Sequence, residues 1–79
     1  MSIFDQLREQ AGLGGPAASL ANEILVIRNA YEANELTLDE YQFLLQEIAD
    51  IKAQQELATD EVACRWIIAA AEIAAKAMI

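Results

Sequence analysis

Apolar residues recur along this chain at helical spacing, and the breaks between the apolar runs carry helix start and stop signals. Ile3, Phe4 and Leu7 give one apolar face to a short segment over residues 3–10. Ser2 is placed as its amino-terminal cap, with Asp5 three residues on. The run Gly12-Leu13-Gly14-Gly15-Pro16 then ends it, because glycine is costly inside a helix and proline cannot continue one. Three glycines so close together predict a hinge, and Pro16 suits the first turn of the next helix.

A second helix is predicted over residues 17–33. Leu20, Ile24, Ile27 and Tyr31 are spaced four, three and four, the seam of a paired helix, and Leu25 and Val26 widen it. Asn34 is a residue that tolerates the left-handed stop. Thr37-Leu38-Asp39-Glu40 reads as a capping box, with Leu36 and Tyr41 positioned as a hydrophobic staple. The third helix that follows presents Tyr41, Leu44, Leu45, Ile48 and Ile51 on one side. The short connection makes the second and third helices an antiparallel hairpin.

Thr59 or Asp60 starts a fourth helix that reaches residue 79 and holds only Arg65, Glu72 and Lys76 as charges after Val62. Those three lie within an arc of about 40°. The rest of the circumference is alanine, isoleucine, Val62, Cys64, Trp66 and Met78, which predicts a helix buried nearly all round. The pattern as a whole predicts an all-α small bundle: an amino-terminal arm and hinge over 1–15, and a three-helix domain over 16–79.

Size sharpens this. A core built from 79 residues is marginal without a disulfide, a metal or association. Cys64 is the single cysteine, and with no histidine there is no metal-ligand cluster. Association is left, and 56% hydrophobic residues exceed the share of an ordinary soluble domain. The predicted interface takes Ile3, Phe4 and Leu7 from the arm and Trp66, Ile67, Ala70, Ala74 and Met78 from the last helix. Trp66, Ile67 and Ile68 point about 100° apart, so one internal seam cannot cover all three. Trp66 or Ile67 is expected at a protein contact and Ile68 is expected to be the most exposed.

The net charge of −8 comes from residues 29–61, which hold Glu32, Glu35, Asp39, Glu40, Glu47, Asp50, Glu56, Asp60 and Glu61 against Lys52 alone. Such a segment repels phosphate backbones and anionic lipid heads, so direct nucleic-acid binding is disfavoured. It either solvates the protein or faces a basic partner. The glycine run matches neither phosphate-binding spacing, and the paired acids lack the calcium-loop pattern. Cys64 has no base to activate it. No catalytic, cofactor or metal residues are expected, and the chain reads as non-enzymatic. The charges inside the last helix make it a poor membrane span, and its narrow polar face disfavours interfacial attachment. With no secretory pattern at the start, the expected location is cytoplasmic, or a virion if a phage encodes the chain.

The stretch Tyr31-Glu32-Ala33-Asn34-Glu35-Leu36-Thr37-Leu38-Asp39-Glu40-Tyr41, followed by Leu44-Leu45, resembles the SHOCT-type short helical hairpin. It covers about a third of the chain. Asn34 stands where the family has a turn glycine, and the second helix is acidic where the family's is basic. Over its whole length the chain is similar to small acidic helical polypeptides of tailed bacteriophages. That likeness implies a structural or accessory role, including partnership with replication and recombination enzymes.

Overall fold

The computed structural model describes residues 2–77, and among these the chain is all-helical. The elements are α1 (Ile3–Leu13), α2 (Ala18–Glu32), α3 (Leu38–Glu47), a π-helical turn (Ile48–Lys52), α4 (Ala53–Glu56) and α5 (Glu61–Lys76). The segment from α3 to α4 is one continuous rod with helical backbone angles at both joints, so four rods make the bundle.

Local chemistry sets the ends of these rods. Ser2 and Asp5 form a reciprocal capping box, the Asp5 N–H donating to Ser2 Oγ at 3.3 Å and the Ser2 N–H to Asp5 Oδ2 at 3.4 Å. Helix α1 runs past its expected end at residue 10. Gly12 stays helical, and the stop comes at Gly14, whose φ of 70° is left-handed, a region glycine enters without steric cost. At the end of α2, Asn34 takes φ 63°. Its N–H donates to Tyr31 O at 3.0 Å and the Glu35 N–H donates to Ala30 O at 2.9 Å, the two bonds of a Schellman stop. Thr37 and Glu40 close the expected capping box at 3.1 and 2.8 Å.

Pairing across the rods is antiparallel. Tyr31 stacks on Tyr41 with ring centroids 4.8 Å apart, while Glu23, two turns earlier in α2, pairs with Lys52 at the other end of the third rod. Between the third rod and α5 the same order holds: Gln42 Nε2 of α3 donates to Ala75 O, whereas Cys64 Sγ reaches Ala53 O of α4.

The core is shared by every rod. Leu7, Leu20, Ile24, Tyr41, Leu45, Ile48 and Ile67 are its fully buried large side chains. Ala21, Ala49, Ala53, Ala70, Ala71 and Ala74 fill the gaps, and their small size lets the helices approach closely. The expectation of a separate arm over 1–15 is corrected here. Leu7 is in the same core as the residues of 16–79, Ile3 and Phe4 pack against it, and α1 makes extensive contact with α2. The glycine run is a turn that folds α1 back.

Ile51 is the other correction within the core. The π-helical turn, closed by the Ala53 N–H donating to Ile48 O, inserts about one residue into the helical count. The buried series therefore runs Tyr41, Leu45, Ile48, then Ala49, Ala53 and Leu57. Ile51 is rotated out to 47% exposure, and Lys52 reaches sideways to Glu23, which raises its pKa through their hydrogen bond.

Candidate functional site

The chemistry of this surface is that of helix faces, and α5 decides it. Asp60 caps α5, its carboxylate accepting the Ala63 N–H at 3.0 Å. Glu61 in the first turn and Lys76 in the last complement the helix dipole. Alanine makes up much of what lies between, a strong helix former that needs no room.

Two arcs of α5 have different fates. Ile67, Ala70, Ala71 and Ala74 span about 100° of the circumference and are buried against α1, α2 and the third rod. On the far side, Val62, Trp66, Ala69 and Ile73 lie within about 60°. Val62 is 80% exposed and Ile73 51%; Ala69 is exposed and Trp66 partly so. Their spacing of four, three and four is that of a helix-pairing seam, and among them only Trp66 packs partly against the core. Glu61, Arg65, Glu72 and Lys76 form a second strip of about 60° directly beside it. Arg65 Nη2 and Glu61 Oε1 pair at 2.5 Å, but both are well exposed, so the pair adds little to stability.

Open furrows border the seam and the charged strip. One, at its amino-terminal end, is lined by Gln10, Pro16, Ala17, Asp60, Val62, Ala63 and Trp66. Another borders the charged strip on the α3 side, between Gln42, Gln46, Glu72, Ala75 and Lys76.

The interface expected from sequence is largely relocated by this geometry. Leu7, Ile67, Ala70 and Ala74 are inside the single chain and offer no surface. Ile3 and Phe4 are half-buried against the core, Phe4 lying under the Arg28 guanidinium at 4.6 Å from the ring centre. Ile68, expected to be the most exposed of its group, packs against the core from one side. Met78 lies outside the described residues. Trp66 alone keeps both an exposed part and a place in the seam. Val62 and Ile73 were missed, although their offset from Trp66 by four and seven residues was readable.

Arg28 is a structural node. It donates to Glu32 at 3.2 Å, to Ala77 O at 3.2 Å and to Tyr41 Oη at 3.4 Å. Tyr41 Oη in turn donates to Ala74 O at 2.8 Å, which fastens the last turn of α5 to α3. Burial of Tyr41 disfavours its phenolate and raises its pKa, outweighing the opposite pull of Arg28. Burial works against the charge on Arg28, but Tyr41 and Glu32 outweigh it and its pKa is raised.

A smaller apolar feature sits on the acidic rod. Phe43 is 66% exposed and lines a furrow with Leu36, Leu44, Asp39 and Glu40. Leu13 and Val26 are also exposed, which is ordinary for single apolar side chains at a protein surface. Among the described residues, no group of three His, Cys, Asp or Glu side chains could hold a metal ion, and no helix is long and apolar enough to cross a membrane. No family model matches the chain, and no curated protein or solved structure was found to be similar to it.

Proposed function

We propose that this protein is a non-enzymatic interaction protein that binds a protein surface through the outward seam of α5. One observation carries the reading: Val62, Trp66, Ala69 and Ile73 form a regularly spaced apolar stripe on a helix whose other face is already buried. Leaving such side chains in water forgoes roughly 1.5–3 kcal/mol for each large one, and a contiguous stripe of this kind marks an interaction site.

A second reading is favoured by Phe43. An exposed aromatic between Asp39 and Glu40, on the most acidic of the rods, suits a basic partner surface, such as that of a nucleic-acid enzyme.

Photo-reactive side chains placed at Val62, Ile73, Phe43 and, as a control, exposed Ser19 test both readings in the cells that make the protein. Adducts at Val62 and Ile73 support the α5 reading. Adducts at Phe43 alone favour the acidic rod. Adducts at none of the four positions, or equally at Ser19, overturn both.

A further inference from the structure

We infer that the occupant of the α5 seam is a second copy of this chain, packed antiparallel about a two-fold axis. The inference rests on the α5 reading above and adds the partner's identity and direction. Charge selects the partner. The chain carries −8 overall, yet α5 itself is balanced, Glu61 and Glu72 against Arg65 and Lys76. Apart from Asp60 at the amino-terminal end of the seam, a second copy approaches on this face across balanced charge, whereas a contact through the third rod, with Asp39, Glu40, Glu47, Asp50 and Glu56 against Lys52, would bring like charges together.

Charge also selects the direction. The strip beside the seam reads acid, base, acid, base at Glu61, Arg65, Glu72 and Lys76. Read in reverse it is base, acid, base, acid. A two-fold axis at the level of Ile68 sets Glu61 opposite Lys76 of the second copy and Arg65 opposite Glu72. The same axis sets Val62 opposite Ile73 and Trp66 opposite Ala69. Each of these pairs falls within one residue of a common level, about 1.5 Å along the helix. One operation therefore satisfies the ion pairs and the apolar layers together. The large Trp66 meets the small Ala69, the complementarity that close helix packing requires. A parallel pair instead puts the two strips on opposite sides of the contact, so none of these ion pairs can form. The contact is isologous, as closed homodimers require.

The test combines sedimentation velocity from micromolar to millimolar chain with charge variants and cysteine pairing, using circular dichroism to confirm that each variant is folded. The parent is expected to pass from one chain mass to two. Arg65→Glu or Glu72→Arg alone should each weaken pairing by roughly tenfold, since two contacts per dimer turn repulsive. Both changes in one chain should restore it to within about twofold of the parent, because the opposition is re-formed with its signs exchanged. In a Cys64→Ala background, mixing Val62→Cys with Ile73→Cys chains should give the mixed disulfide in preference to either self-linked product.

A parent that stays monomeric at millimolar concentration overturns self-pairing. The α5 reading then survives only if photo-adducts at Val62 and Ile73 have a mass other than twice the chain. Self-linked Val62→Cys as the main product, or no restoration in the double charge variant, overturns the antiparallel arrangement.

Discussion

Ile67 and Ile73 are the same residue type on the same helix, and the structure gives them opposite fates. Ile67 is fully buried in the core, whereas Ile73 is about half exposed on the outward seam. Truncating Ile67 to alanine removes apolar atoms from a packed site and leaves a cavity, which costs about 2–5 kcal/mol. A chain of this size has a total stability of roughly 4–12 kcal/mol, so the change removes a large share of it. With an m-value near 1 kcal/mol/M in urea for a small domain, the midpoint should fall by about 2 M or more, or the variant should be unfolded in buffer. Truncating Ile73 leaves no enclosed void, and only part of its side chain leaves a protein environment, so the cost should stay below about 1 kcal/mol. The melts are read by circular dichroism at low micromolar chain, where association does not add to apparent stability. Equal midpoint shifts for the two variants, or a larger one for Ile73→Ala, would refute the division of α5 into inward and outward arcs.

Three further outcomes follow from the fold. Gly12→Ala should stabilise the chain by about 0.5–1 kcal/mol in urea melts, because Gly12 is helical and an added Cβ meets nothing within 4 Å; Gly14→Ala should destabilise it, since φ there is 70°. Leu45→Ala should cost about 2–5 kcal/mol and Ile51→Ala less than about 1; similar costs would mean that the π-helical turn does not shift the register. The Tyr41 pKa is raised in the folded state above the ordinary value near 10, so its contribution is complete below about pH 10 and is lost as pH rises through the folded value. Thermal melts should therefore weaken above pH 10, and Tyr41→Phe should cost about 1 kcal/mol at pH 7 while reducing that alkaline loss; an unchanged alkaline slope in the variant would remove Tyr41 as its source.

Much of the fold was legible because it is written locally. Ser2–Asp5, Thr37–Glu40 and Asn34 are signals spanning a few residues, and each forms the cap or stop that its chemistry dictates. The seam of α2 and the antiparallel hairpin follow from spacing alone. The π-helical turn was not legible, because Ile48–Lys52 carries no residue that demands it; the register of Ala53 and Leu57 in the core is a tertiary effect. The face of α5 that turns inward was not legible either. A helix apolar almost all round gives no phase, and its burial is set by where α1 and the third rod meet it. That is why Ile67, Ala70 and Ala74 read as interface when they are core, while Val62 and Ile73 went unmarked. Glycines that suggested a hinge serve a turn, since the apolar face of α1 gains more by packing than the chain gains by flexing.

The most direct test of the central claim, that α5 folds the chain with one arc and binds with the other, is a paired aspartate substitution read by helicity and solution mass on the same samples. Ile73→Asp should keep the helical spectrum and melting of the parent while remaining a single-chain species at concentrations where the parent is paired. Ile67→Asp should lose the folded spectrum altogether, because it places an unpaired charge in the core. If Ile73→Asp unfolds the chain, or pairs as the parent does, the outward seam is not the binding surface.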